Sequence, residues 1–151
     1  MRRLVTLDDE RGTSRTIADG APSDVRADPA RPGVVSTLIW ATDRSPARIT
    51  TRVPDIADTF EPPPGGSVCR IVSFAPDGVL RPPMRRTRSL DFCLVLEGEI
   101  TLLLDLEEVR LGAGDVVVQR GTRHAWSNRS ARPCRIAMSS HDATEEARSG
   151  A

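Results

Sequence analysis

The sequence predicts an all-β domain in which antiparallel strands form a sandwich or barrel. Three observations support this fold class. Short runs of alternating apolar and polar residues recur along the second half of the chain. Turns rich in glycine and proline separate these runs at regular intervals. No long stretch has a convincing helical pattern of apolar residues.

Residues 1–66 are predicted to form an N-terminal arm of extra strands and loop. Residues 2–7 fit a short strand, whereas 8–33 carry Gly, Pro and Asp at close intervals, which favours turns and loop. The β-branched, apolar run Val34–Thr42 predicts a strand. The prolines and glycines of 61–66 exclude a central strand or a helix interior, so this segment is interpreted as a linker. An arm this long adds edge strands or crosses to a second subunit, which favours a homodimer.

Residues 67–141 are predicted to form the main barrel, and residues 142–151, which are polar and rich in alanine, a flexible tail. The barrel strands share short length and apolar alternation, and they are expected at 68–74, 91–96, 100–106, 115–120, 125–128 and 134–139. Tight turns are expected between them, at 75–78, 97–99, 112–114 and 129–133.

Composition narrows the class of protein. At 151 residues the chain fits one domain with a core of its own, and because aromatic residues make up only 3%, that core is aliphatic. The net charge is zero, so neither nucleic acid nor an acidic membrane is expected as a partner. The three cysteines have no close pair, which favours free thiols in a reducing compartment. Because no apolar run has the length of a signal peptide or a membrane span, the chain is expected to be cytoplasmic.

A segment near the centre of the barrel region carries a family resemblance. Gly114 is followed by five residues, then by an Arg-Gly turn that ends at Gly121, then by His124 and, four residues later, by Asn128. This spacing resembles the second motif of the cupins, although the turn is one residue shorter and lacks the motif's proline. The resemblance extends over residues 68–140 and implies a cupin, or jelly-roll, double-stranded β-helix barrel.

The first cupin motif is only partly present. Asp91 and Gly98 stand where the motif has its acidic residue and its final glycine, with six residues between them. The two histidines that metal-binding cupins carry before the acidic residue are replaced by Arg85 and Thr87. The resemblance therefore implies a degenerate metal site, since two ligands are few and the fixed arginine charge repels a dication. No cofactor is expected, and a metal, if bound, would be held by His124 and Asp91.

If cupin geometry holds, Arg85, Asp91 and His124 meet inside the barrel mouth. In one interpretation, Arg85 and Asp91 form an internal ion pair and His124 is simply hydrogen-bonded. In the other, the three are the catalytic residues of a metal-free pocket. His124 then acts as acid or base, and Arg85 binds a substrate carboxylate or stabilises a developing enolate. Six further side chains are predicted to form the substrate pocket: Trp126, Thr87, Cys93, Trp40, Gln119 and Met138.

Two of these pocket residues have a competing interpretation. Cys93 faces inward with Asp91, and a buried apolar thiol is a simpler interpretation than a nucleophile. Gln119 precedes the Arg-Gly turn, so it either donates to a ligand or caps that turn.

The site favours a metal-independent cupin enzyme that acts on a small, polyketide-like biosynthetic intermediate by elimination, isomerisation or cyclisation. The biosynthetic setting is implied by resemblance to small stand-alone cupins that share the segments VLEGEI and GDVVVQRGT. Two alternatives stay open: a metal-dependent cupin with a reduced ligand set, and a non-catalytic barrel that binds a small molecule.

Overall fold

The computed structural model describes residues 1–50, 60–79 and 81–145, which contain twelve strands and no helix. In chain order the strands are β1 Arg3–Asp8, β2 Ser14–Gly20, β3 Val25–Ala27, β4 Val34–Thr42, β5 Ser67–Phe74, β6 Arg85–Arg86, β7 Ser89–Glu97, β8 Glu99–Leu103, β9 Glu108–Gly112, β10 Val116–Arg120, β11 Arg123–Ser127 and β12 Cys134–Asp142. The all-β class predicted from the sequence is confirmed. In the described ranges, no helix is long and apolar enough to cross a membrane.

The strands form three sheets whose pairings are antiparallel. The largest has six strands in the order β10-β7-β12-β5-β4-β3, and a second has four in the order β6-β11-β8-β9. β1 and β2 form a separate hairpin. The six- and four-stranded sheets are the two main sheets of the jelly roll.

The N-terminal segment contributes more strand than the sequence predicts. The prediction of turns and loop for residues 8–33 is wrong in part, because β2 and β3 lie there. β2 is almost wholly exposed and lacks apolar alternation, so only its backbone pairing with β1 makes it a strand. The predicted strand Val34–Thr42 is found with the same bounds, and it joins β5 in the six-stranded sheet.

The predicted tail is described as far as residue 145. There, the Ala143 amide donates to the Arg88 carbonyl, and the Glu145 carboxylate lies 3.5 Å from the Arg86 guanidinium. The rest of the tail, residues 146–151, lies outside the described residues. The predicted domain boundaries at 66 and 141 fall at the start of β5 and near the end of β12.

The barrel interior changes from apolar to polar along its axis. Its apolar cluster consists of Val34, Val72, Phe74, Cys93, Val95, Ile100, Leu102, Leu111, Trp126, Cys134 and Ile136. On β12, Met138 stands opposite Cys93 on one side and Arg70 on the other, and Ser140 stands opposite Asp91. On β7 and β12 the inward residues therefore become polar toward Asp91 and Ser140, whereas on β5 Arg70 is followed by the buried Val68, which belongs to a second, small apolar cluster with Leu38 and Ala41.

The outer face of the six-stranded sheet is partly apolar. Exposed side chains on its neighbouring strands β7 and β10 are Phe92, Leu94, Leu96, Val116 and Val118. The homodimer expected from the sequence stays a prediction.

Candidate functional site

A cavity of about 130 Å³ occupies the polar end of the barrel interior. Strands of both main sheets contribute to its wall. Of the residues predicted for the site, all except Trp40 line this cavity: His124, Asp91, Arg85, Trp126, Thr87, Cys93, Gln119 and Met138. The structure therefore brings together residues from five strands, β6, β7, β10, β11 and β12, and from the segment between β6 and β7.

Trp40 does not line the cavity in the described part of the chain. A β-bulge between Leu38 and Trp40 shifts the register of β4 against β5. Leu38 stands opposite Arg70, which faces the cavity, whereas Trp40 stands opposite Cys69, which does not line it. The bulge thus reverses the alternation that the sequence implies, and the placement of Trp40 as pocket wall is corrected.

His124 is buried on β11, and its ring makes a hydrogen bond that fixes its tautomer. The Nδ1 atom lies 2.9 Å from the carbonyl oxygen of Thr122. A carbonyl oxygen only accepts, so Nδ1 carries the proton and Nε2 carries the lone pair when the ring is neutral. The Trp126 ring lies edge-on to the imidazole, with 6.1 Å between the ring centroids.

The charge state of His124 follows from its surroundings. Burial lowers the pKa of the imidazole below its ordinary value of 6.5. The Thr122 carbonyl and the Asp91 charge act in the opposite direction, while the charges of Arg31 and Arg85 lower the pKa further. The balance is a lowered pKa, so the ring is neutral at pH 7 and Nε2 is available as a base.

Asp91 and Gln119 stand opposite each other on the neighbouring strands β7 and β10. Both side chains are buried and line the cavity. Among the described residues, the Oδ1 atom of Asp91 and the Nε2 atom of Gln119 have no hydrogen-bond partner, and the same is true of the Oγ1 atom of Thr87. A buried polar atom left without a partner costs about 1–3 kcal/mol, so three of them around one cavity indicate a polar occupant.

The predicted ion pair between Arg85 and Asp91 is not found: no salt bridge joins them in the described structure. Arg85 lies on the two-residue strand β6 and is exposed, whereas Asp91 is buried. An arginine at the rim gains more from water than from reaching a buried carboxylate. The Arg85 charge nevertheless acts on the cavity, because it lowers the pKa of His124 and of Asp28.

Sequence reasoning missed three charged residues that line the cavity, Arg31, Glu61 and Arg70. Arg70 is buried on β5 and donates to Ser36 Oγ at 3.2 Å; its inward position could have been found from the alternation of β5. Arg31, which lines the cavity, forms a 2.6 Å ion pair with the buried Asp28. Burial alone would raise the pKa of Asp28, but Arg31, a backbone amide and the charge of Arg85 together lower it. Nothing in the loop sequence after β3 signals that pair.

The motif asparagine Asn128 is a structural residue. Its amide donates to the carbonyl oxygens of Phe74 and Arg132, and its Oδ1 accepts from the Ser130 amide and hydroxyl. The side chain is fully buried and is not in the cavity wall. Asn128 therefore holds the turn after β11 against the end of β5.

Cys93 faces the cavity as a neutral thiol. Burial, together with the nearby charge of Asp91, raises its pKa to about 12. A thiol with so high a pKa is a poor nucleophile at neutral pH. Cys93 therefore serves as a small apolar part of the wall.

The donor set does not fit a tightly held metal ion. Within the described residues, no three His, Cys, Asp or Glu side chains come together as a possible metal site. His124 and Asp91 both line the cavity. The other histidine of the chain, His141, cannot add a third ligand, because it lies edge-on to the exposed Phe92 on the outer face of the sheet. Three protein ligands are the usual minimum for a catalytic metal such as zinc, so these residues fall short of one.

The fold and the motifs together define the class of protein. A family model of the Cupin domain matches residues 70–140. Two relatives, the Phomopsin biosynthesis cluster proteins C' and D of Diaporthe leptostromiformis, are each 42% identical over 139 residues, covering 85% of this chain and 70% of each relative. The cupin-domain-containing oxidoreductase virC of Hypocrea virens is 40% identical over 99 residues, covering 62% of this chain and 50% of virC. The chain belongs to the cupin family, as its motifs predict.

Solved structures with the same fold are more distant in sequence. The polyketide cyclase RemF from Streptomyces resistomycificus matches with a TM-score of 0.55 at 20% identity, covering 80% of this chain and 76% of that one. The Cnp3 cupin domain of Schizosaccharomyces pombe matches with a TM-score of 0.55 at 10% identity, covering 93% and 87%. These similarities concern the fold alone, and they confirm the predicted jelly-roll barrel.

Proposed function

We propose that this chain is a metal-independent cupin enzyme that acts on a small biosynthetic intermediate by acid–base catalysis in the barrel cavity. One observation carries the proposal. His124 lines the cavity with Nδ1 hydrogen-bonded to the Thr122 carbonyl and its pKa lowered, which supports Nε2 as a base at neutral pH. A base in this state needs no metal to remain unprotonated.

The chemistry that suits such a base is removal of a proton from a carbon next to a carbonyl group. The electron pair of the broken C–H bond forms an enolate, and the proton moves to Nε2 of His124. Returning the proton to another carbon gives isomerisation, and expelling a neighbouring hydroxyl as water gives elimination. Attack of the enolate carbon on a second carbonyl, which takes up the proton, gives cyclisation. Each of these three reactions is redox-neutral, so no oxidant or reductant is required.

The biosynthetic setting is supported by the relatives. Two of them are described as proteins of the phomopsin biosynthesis cluster, and a third as a protein of the oryzines biosynthesis cluster. The structural neighbour RemF is described as a polyketide cyclase. A polyketide-like substrate, with carbonyl groups on alternate carbons, carries the acidic C–H bonds that a His124 base requires.

A redox function is the second candidate, because several relatives are described as cupin-domain-containing oxidoreductases. Redox chemistry with oxygen normally needs a metal or an organic cofactor. His124 and Asp91 would be the ligands of a metal in that case, and two ligands are few for this purpose. A barrel that binds its small molecule without converting it is the third candidate.

Gene disruption in the source organism, followed by assay of the compound that accumulates, tests the proposal. The purified protein is expected to convert that compound to a product of equal mass, or of a mass smaller by one water molecule. The variant His124→Gln, checked for folding by circular dichroism, is expected to lose this conversion. A product that has gained or lost hydrogen or gained oxygen would favour the redox function, and binding without any product would favour the binding barrel.

A further inference from the structure

Two of the three cavity atoms that lack a partner in the described part of the chain, on Asp91 and Gln119, have a defined arrangement. Asp91 and Gln119 are register partners on antiparallel strands, and such partners have Cβ atoms about 4.5–5.5 Å apart on the same face of a sheet. The Asp91 carboxylate only accepts hydrogen bonds, whereas Gln119 Nε2 only donates them. The cavity wall therefore presents an acceptor beside a donor, and each has an unused hydrogen-bonding position.

The orientation of the Gln119 amide is fixed from outside the cavity. The Thr122 hydroxyl donates to Gln119 Oε1 at 2.8 Å, which directs Nε2 away from Thr122. The backbone carbonyl of the same threonine accepts from His124 Nδ1. Thr122 thus orients both the amide donor and the base through two different atoms.

We propose that Asp91 and Gln119 recognise a ligand group that carries a hydrogen-bond acceptor beside a donor. A carbonyl next to an enol hydroxyl and a cis amide both have this pattern. Asp91 Oδ1 accepts from the ligand hydroxyl or N–H, and Gln119 Nε2 donates to its carbonyl oxygen. This inference rests on the proposed function in one respect: on the substrate, that oxygen is the one that becomes the enolate, so Gln119 stabilises the negative charge.

The size of the cavity limits the group that enters it. A volume of about 130 Å³ is slightly smaller than the roughly 150 Å³ cavity known to hold benzene. A five-membered ring with one carbonyl is therefore a suitable probe. The lactam 2-pyrrolidone has the cis N–H and C=O pair, N-methyl-2-pyrrolidone lacks the donor, and cyclopentanone has only the acceptor.

The protein contains a convenient reporter for such probes. It has two tryptophans and no tyrosine, and Trp126 lines the cavity whereas Trp40 does not. In the variant Trp40→Phe, the fluorescence belongs to Trp126 alone. Titration of this variant with 2-pyrrolidone is expected to give a saturable change with a Kd on the order of millimolar, as suits a ligand this small.

Both the probes and the variants then test the donor–acceptor pair. N-methyl-2-pyrrolidone and cyclopentanone are expected to bind about 10-fold more weakly than 2-pyrrolidone. In the Trp40→Phe background, the second substitution Gln119→Met is expected to weaken the binding of 2-pyrrolidone by a similar factor. Thr122→Val removes the hydroxyl that holds the Gln119 amide and is expected to weaken the binding of 2-pyrrolidone less. Thr122→Ser keeps this hydroxyl and is expected to bind 2-pyrrolidone as tightly as the parent.

The inference is overturned if the three probes bind equally, if 2-pyrrolidone gives no saturable change, or if Gln119→Met binds it as tightly as the parent. Each of these results would mean that water satisfies the polar atoms. His124→Gln separates this inference from the proposed function. If that variant still binds 2-pyrrolidone but the intact enzyme converts no accumulated compound, the recognition pair stands and the catalytic proposal fails.

Discussion

The Nδ1 atom of His124 lies 2.9 Å from the carbonyl oxygen of Thr122, two residues earlier in the chain. This short-range contact decides which ring nitrogen holds the proton, because the carbonyl can only accept. It lies in the turn between β10 and β11, whose Gly121 has a φ of 64°. The turn therefore sets both the position and the tautomer of the base.

His124 is expected to make folding stability depend on pH. Its folded-state pKa lies below 6.5, so between that lowered pKa and 6.5 the unfolded chain binds more protons than the folded one. The stability contributed by a neutral His124 is complete above about pH 6.5 and declines as the pH falls below it. Urea denaturation at a series of pH values should show a smaller decline for His124→Gln than for the wild type. Parallel curves for the two proteins would contradict the burial of a neutral ring.

Cys93 is expected to react slowly with thiol reagents. Burial and the Asp91 charge raise its pKa to about 12, so almost no thiolate is present at pH 8. Cys69 is less buried and serves as an internal control in the same molecule. Alkylation followed by peptide mass spectrometry should modify Cys69 first, and all three cysteines only after unfolding. Preferential modification of Cys93 in the folded protein would revive its role as a nucleophile.

Asn128 is expected to matter for stability rather than for chemistry. Asn128→Ala removes two donated and two accepted hydrogen bonds at a fully buried position. The expected loss in the free energy of unfolding is about 2–4 kcal/mol, measured by urea denaturation. Ser130→Ala, which removes only the hydroxyl partner, should cost about 1 kcal/mol. A fully stable Asn128→Ala protein would contradict this assignment.

Gly98, the final glycine of the first motif, is expected to resist substitution for two reasons. Its φ of 77° lies in the left-handed region, and an added Cβ would stand 2.6 Å from the Pro133 carbonyl oxygen. Gly98→Ala should therefore cost about 3 kcal/mol, from backbone strain and overlap together. Gly114→Ala is the matched control, since Gly114 has a φ of 96° but open space around it, and should cost about 1–2 kcal/mol. If thermal or urea unfolding gives equal losses of stability for Gly98→Ala and Gly114→Ala, the overlap of the added Cβ with the Pro133 carbonyl oxygen must have been relieved.

The sequence predicts the barrel well because its signals are local. β5 and β7 alternate buried residues with more exposed ones over most of their length, and the turn glycines Gly98 and Gly114 adopt the positive φ that such turns need. β2 escapes prediction because it is exposed on nearly every residue and has no apolar face. A strand that is held only by backbone pairing leaves little trace in the amino-acid pattern.

The position of a site residue is predictable where it follows the inward and outward alternation of side chains along a strand. It is not predictable where long-range contacts determine the position of the side chain. Asp91, Cys93 and Gln119 face inward as their strand phases require. The prediction that Trp40 lines the pocket is wrong because a bulge places its side chain on the other side of the sheet, and no residue pattern indicates this bulge. The ion pair between Arg85 and Asp91 does not form because the free energy of hydrating Arg85 at the barrel rim outweighs the gain from a buried ion pair. The Asp28–Arg31 pair depends on where a loop folds, which the local sequence does not encode.

The proposal on which the function depends is that His124 acts as a base without a metal. Its most direct test is the rate of conversion of the intermediate that accumulates after gene disruption. Wild-type protein treated with EDTA and His124→Gln are compared with untreated wild type. The expected result is an unchanged rate after EDTA and a loss of about 100-fold or more in His124→Gln. Loss of activity with EDTA and its return with added metal, or full activity in His124→Gln, would contradict the claim.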